Sequence, residues 1–228
     1  MTELLYLKNQ DLFQGSAKVL EIIQFENQFG IVLDQTIFYV QGGGQPGDRG
    51  LITNQGGIFE VNKTVFDAEG KALHLGRFIE GGFGIDSEVN LKIDLPSRQL
   101  NSKIHSAGHL IDLAVKNCGL NWLPGKGFHY PEGSYVEYST RAVNLDLEEL
   151  KKEIQSEYNK LTASDLKVEI SFETNSLFKG QPLRKMSFAG FGELPCGGTH
   201  VKSTLELKDF KITKIKQKGE IIKVSYSL

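Results

Sequence analysis

His105 and His109 frame the stretch HSAGH, and Cys196 and His200 frame CGGTH. These two segments hold three of the chain's five histidines and one of its two cysteines. On a helix, positions i and i+4 project from one face a turn apart, so both imidazoles of the first segment can reach one ion. No glutamate follows the first histidine, so the general base of a helical His-Glu-x-x-His zinc protease is missing. In the second segment Gly197 and Gly198 allow a turn tight enough to bring Cys196 and His200 onto the same ion. Three imidazoles and one thiolate suit Zn2+, with Zn–S near ~2.3 Å and Zn–N near ~2.0–2.1 Å. The paired motifs predict one zinc ion per chain, held by His105, His109, Cys196 and His200.

Those ligands need a helix and a distant turn to carry them. The stretch from Pro96 to Gly119 reads as a helix, with Ile104, Leu110, Ile111, Leu113, Ala114 and Val115 to pack and Gly119 to stop it. DLEELKKEIQSEYNKLTA, residues 146–163, reads as a second, amphipathic helix with Glu–Lys pairs at helical spacing. A strand (LKVEISF), a short TNSLFKG segment and the CGGTH turn follow, and LKDFKITKIK and EIIKVSYSL are strand candidates that close the chain. Upstream, AKVLEIIQF, GIVLDQTIFYV, GIFEVNKTVF and SEVNLKIDL are β-branched and aromatic runs broken by turn residues, the pattern of a small sandwich or barrel. A glycine-dense loop, Gln41–Gly50, lies between two of them. The expected fold class is α+β. A small β-barrel-like domain spans 1–95, and an α+β domain with long helices on an antiparallel sheet spans 96–228.

The bulk composition narrows the function classes. The 228 residues are 39% hydrophobic and 24% charged with a formal net charge of −2, so no global basic field marks a nucleic-acid binder and any RNA surface must be local. Two cysteines are too few for a disulfide framework. The start MTELLYLKNQD lacks a signal-peptide pattern and the apolar runs are strand-sized, so no membrane segment and a cytoplasmic location are expected. GGGQPGDRG lacks the lysine of a phosphate-binding Gly-x-x-x-x-Gly-Lys loop, and no nucleotide cofactor is expected. Lys214, Lys216 and Lys218 share one face if extended, either as guards of an edge strand or as a phosphate-tracking stripe. Cys118 reads as a packed small hydrophobe, His129 as a loop or strand histidine, and His74 has no company.

HSAGHLIDLAV followed by CGGTHV resembles the editing domain of alanyl-tRNA synthetase and its free-standing relatives, the AlaX family. GGGQPGDRG resembles the glycine-rich motif that precedes that domain in the longer AlaX proteins, and the C-terminal segment from Val201 is similar to the family's ending, with Lys223 where an arginine is expected. The resemblance implies a zinc-dependent deacylase acting on the acceptor end of mischarged tRNA(Ala), chiefly Ser-tRNA(Ala) and to varying degrees Gly-tRNA(Ala), with no charging activity. It implies that Gln45 lies near the editing pocket, where its amide can donate and accept hydrogen bonds. Thr199 is the second candidate catalytic residue, and Ser106 offers a further hydroxyl. Asp48 and Arg49 are expected to hold the turn. Two alternatives are a deacylase for another tRNA, such as Ser-tRNA(Thr), and a non-catalytic tRNA-binding module with a structural zinc.

Overall fold

Strand pairing and burial in a computed structural model, which describes residues 2–178 and 181–228, organise the chain as two units. Met1–Gly42 with Pro46–Gln99 form the first, and Gly43–Gln45 with Leu100–Leu228 form the second. The composition is mixed, mostly sheet, with three α-helices among the described residues. No helix among them is long and apolar enough to cross a membrane.

The first unit opens with β1 (Glu3–Leu4) and the short helix α1 (Leu5–Lys8), and β1 pairs with β4 (Gln35–Thr36). Its body is a closed barrel ordered β2 (Gln14–Gln24), β3 (Phe29–Leu33), β7 (Ala72–Gly81), β6 (Gly57–Phe66), β5 (Gly50–Asn54) and β8 (Glu88–Ile93). Every pairing in the ring is antiparallel, and the inward positions, including Val19, Ile31, Leu33, Ile52, Phe59 and Leu91, are almost fully buried. The run GIVLDQTIFYV is not one strand. It breaks at Asp34, whose carboxylate accepts from the amides of Lys18 and Gln35, both at 2.8 Å, and so turns the chain. Ile37–Val40 then lie buried outside the ladder.

Helix α2 (Leu95–Asn117) begins where Asp94 accepts from the amide of Ser97 and ends just before Gly119, which takes a left-handed φ of 72°. Helix α3 (Leu147–Ala163) is capped by Asp146, which accepts from the amide of Glu149. The second unit's main sheet is ordered β14 (Lys211–Lys218), β15 (Ile221–Ser227), β10 (Ser134–Ser139) and β9 (Leu123–Phe128). Both helices share one core with the inner face of this sheet. Ile104, Leu110 and Ala114 of α2 and Ile154 and Tyr158 of α3 pack with Val136, Ile215, Ile222 and Val224. A second sheet joins β11 (Val168–Phe178), β12 (Gln181–Phe188) and β13 (Leu194–Pro195). In the expected TNSLFKG segment, the backbone from Thr174 to Phe178 continues β11, and Lys179 and Gly180 lie outside the described residues. A single 3-10 turn, Thr204–Leu207, precedes β14.

Candidate metal centre

The helical pitch of α2 turns His105 and His109 to one side, and β13 delivers the CGGTH turn to the same place. The ligand atoms of His105, His109, Cys196 and His200 all lie within 4.8 Å of one another, and three of the four residues are buried. The Nε2 atoms of His105 and His109 are 3.0 Å apart. Cys196 Sγ lies 3.4 Å from each of these nitrogens and 3.3 Å from His200 Nε2. A tetrahedral zinc with ordinary bond lengths separates its donors by about 3.3–3.6 Å. The sulfur–nitrogen separations match that spacing and the two helix imidazoles stand slightly closer, so the cluster is compatible with a metal site.

The outward nitrogens support the same orientation. His105 Nδ1 lies 2.8 Å from Gln45 Oε1. The backbone amide of Thr199 donates to that same oxygen at 3.1 Å, which identifies it as the carbonyl end of the amide. His105 must therefore carry its proton on Nδ1, leaving the Nε2 lone pair for the ion. His200 Nδ1 lies 3.1 Å from Ser106 Oγ, which also accepts from the amide of Val201. His109 Nδ1 faces Asp112 at 3.8 Å, and Asp112 accepts from the Tyr138 hydroxyl at 2.6 Å.

The remaining Gln45 amide nitrogen donates to Thr199 Oγ1 at 2.8 Å, and Ser102 Oγ is 2.6 Å from that hydroxyl. Gln45 and Thr199 are sealed from solvent. His129 stacks on His105 with centroids 4.7 Å apart, and its Nδ1 lies 2.6 Å from the Tyr226 hydroxyl. Arg184 of β12 fixes the ligand turn, with Nη1 donating to the carbonyls of Cys196 and Gly198. Neither Gly197 nor Gly198 has a positive φ, so handedness is not why glycine stands there. At Gly198 the reason is close approach, because a Cβ would sit 2.3 Å from the His105 ring. Gly44, at φ 78°, likewise lies against the Gly127 carbonyl, and its own carbonyl accepts from the amide of His129.

Burial alone would push the Cys196 thiol up, yet the imidazoles of His105, His200 and His109 outweigh it and hold the thiol well below its usual range. Burial pulls His200 down to about 3 and His129 down to about 2, so both rings are neutral. Burial also acts to lower His109, but the Cys196 thiolate and Asp112 raise it to about 10. The two shifts run in the direction that favours a proton on His109 beside a thiolate on Cys196. A metal would take the place of that proton.

Of the residues singled out in the sequence, the structure brings the four ligands, Gln45, Thr199 and Ser106 together. Lys214, Lys216 and Lys218 are exposed on β14 and reach none of these groups by any described contact. Asp48 and Arg49 do hold their turn. Asp48 pairs with buried Arg98 and accepts from the amide of Tyr39, and Arg49 donates to Asp94 and Ser97. Ser102, Asp112 and Arg184 went unseen in the sequence, and His129, read there as a loop or strand histidine, stacks on a ligand. Ser102 sits three residues before His105 on the same helical face, the one local signal that could have found it.

Residues 6–97 match the family of class II (A) tRNA synthetases, and residues 189–223 match the second additional domain of threonyl and alanyl tRNA synthetases. The molecule thus falls among proteins related to alanyl- and threonyl-tRNA synthetases. It is 35% identical over 218 residues to alanyl-tRNA editing protein AlaX-M of Pyrococcus horikoshii, covering 94% of this chain and 91% of that protein. With AlaX-L of the same organism the identity is 29% over 235 residues, covering 96% of this chain and 56% of that one. Alanine–tRNA ligase 1 of Lachnoclostridium phytofermentans is 30% identical over 200 residues, which is 80% of this chain and 22% of the ligase. The chain belongs to the AlaX family of alanyl-tRNA editing proteins.

Proposed function

We propose that the protein is a zinc-dependent aminoacyl-tRNA deacylase that hydrolyses mischarged Ser-tRNA(Ala), and Gly-tRNA(Ala) more weakly. Family membership supports the activity class. The observation that carries the metal is the convergence of three Nε2 atoms on Cys196 Sγ. When bound, zinc supplies a Lewis acid for the ester carbonyl. His105, His109, Cys196 and His200 hold it, and metal analysis of protein purified without chelator should find about one zinc per chain. Protein that neither carries nor takes up zinc would refute this.

The hydrogen bonds support a positioning role for Gln45. Its carbonyl bonds His105 and Thr199, and one of its two amide hydrogens goes to the Thr199 hydroxyl. Gln45 acts on the substrate through His105 and Thr199, as a positioning residue. Thr199 Oγ1 takes one bond from Gln45 and one with Ser102, which leaves a hydroxyl one hydrogen-bonding position that the seryl hydroxyl of the substrate takes once the covering side chains part. A pocket built to bond a hydroxyl rejects the analogue lacking it, because its own polar group is left unpaired. Ser-tRNA(Ala) should therefore be hydrolysed at least ~10²-fold faster than Ala-tRNA(Ala). Lys214, Lys216 and Lys218 supply phosphate contacts.

Four protein donors form a closed set, the pattern of a structural zinc. That favours a second reading, a non-catalytic tRNA-binding module. Single-turnover assays on Ser-, Gly- and Ala-tRNA(Ala) and on Ser-tRNA(Thr), with and without chelator, separate the two. Hydrolysis selective for Ser-tRNA(Ala) and lost with the metal is expected. Equal rates on Ser- and Ala-tRNA(Ala) would sink the editing reading, and no hydrolysis at all would leave the binding module.

A further inference from the structure

The four-stranded sheet of the second unit packs one face on the core and turns the other to solvent. The solvent face is built unlike an ordinary polar surface. Phe128 of β9 stands across from Tyr135 of β10, with rings 5.4 Å apart and 15° from parallel. Tyr130 extends the row, its ring 4.3 Å from Phe128 and inclined by 19°. At the other end Lys223 of β15 places its ammonium 3.8 Å above the Tyr135 ring. Beyond it, Lys214 and Lys216 of β14 point the same way.

Two features of this face work against the fold taken alone. Lys216 lies directly opposite Lys223, and like charges facing across strands oppose the pairing. Glu137 offsets Lys223 from the other side at 3.1 Å but does not reach β14. Lysines on β14 can be explained as guards of an edge strand, but Lys223 is on an interior strand. Phe128 is 37% exposed on the opposite edge, where an uncovered aromatic invites aggregation rather than preventing it. A partner that presents negative charge and flat apolar rings together would satisfy both features.

We propose that this face is a stacking platform for single-stranded RNA. Bases lie on the Phe128–Tyr130–Tyr135 row, and phosphates run along Lys223, Lys216 and Lys214. A duplex hides its base faces, so the platform selects an unpaired strand. The platform ends next to a residue of the metal centre. Phe128 faces outward, while the next residue, His129, is buried and stacked on His105. The proposal rests on the reading of the protein as acting on tRNA and identifies where the unpaired 3′ end is held.

The test is fluorescence anisotropy with a short, labelled RNA single strand that ends in CCA and carries no amino acid, beside an RNA duplex of equal length. The wild type should bind the single strand in preference to the duplex. Phe128→Ala should weaken that binding about tenfold. In Lys216→Gln/Lys223→Gln, the slope of log affinity against log salt should be shallower by about 1.4, because each phosphate contact on a single strand contributes about 0.7. Circular dichroism and metal content confirm that the variants are folded. Equal binding of duplex and single strand, or unchanged affinity in Phe128→Ala, overturns the platform. If that happens while the wild type still deacylates Ser-tRNA(Ala), the deacylase reading stands and the platform falls. If the single strand binds as expected but no ester is cleaved, the reverse holds.

Discussion

At the scale of single residues, the centre depends on which nitrogen of each ring carries a proton. Gln45 fixes that choice for His105, so Gln45→Ala should lower zinc affinity about 10–100-fold, measured by competition with a chromophoric chelator, while circular dichroism stays unchanged. Unaltered affinity would show that Gln45 does not orient the His105 ring. Away from the centre, Arg98 gives Asp48 its only described cation, and both are buried. Arg98→Met should cost about 3–5 kcal/mol in urea denaturation, because it strands a buried carboxylate. A loss below about 1 kcal/mol would show that water or another group takes over. The ligands were legible in the sequence because scarce residue types recur at a spacing with geometric meaning. Arg98, Arg184 and Ser102 were not. Their partners lie 50, 14 and 97 positions away in the chain, and one more arginine or serine carries no local mark of that.

At the scale of elements, the two long helices could be read almost to the residue, the first from its apolar stripe and the Gly119 stop, the second from its amphipathic pattern and Glu–Lys pairs. The strands were read unevenly. β7 was hidden by Gly76 and Arg77, which interrupt its alternation. The glycine is required, since a Cβ there would sit 1.8 Å from the Glu60 carbonyl, next to a register shift in β6. β5 and β12 were masked by neighbouring glycine loops, and β9, with Pro124, Gly125 and Gly127, has the composition of a turn. The CGGTH turn was recognised, although one of its glycines serves a different purpose from the one expected. Gly198→Ala should force the His105 ring out of place and lower zinc affinity, whereas Gly192→Ala, with nothing within 4 Å of the new carbon, should leave it unchanged. Equal affinities in the two variants would mean that the turn has slack to absorb a methyl group.

At the scale of the whole molecule, each unit has a core of its own, and the first carries a buried titratable group with no part in the metal centre. His74 bonds Thr36 and the Ile31 carbonyl inside the first unit, and burial pulls its pKa from 6.5 to about 4. Between those values the unfolded chain binds the proton and the folded unit does not, so stability is full above pH 6.5 and declines as pH falls toward 4. The full effect is about 3 kcal/mol. His74→Gln should flatten the pH dependence of urea unfolding across that window, and an equally steep profile in the variant would exonerate His74. The family resemblance read in the sequence is met by the match to AlaX-M, but the long-range strand order could not be read, because it is set by pairings such as β2 with β8 that no local pattern encodes. Closure of that ring governs how the unit opens. With six strands joined end to end, no outermost strand can peel away and release its amides early. Deuterium should therefore enter the barrel strands nearly together and late, while β9, flanked on one side only, takes up label ahead of its sheet.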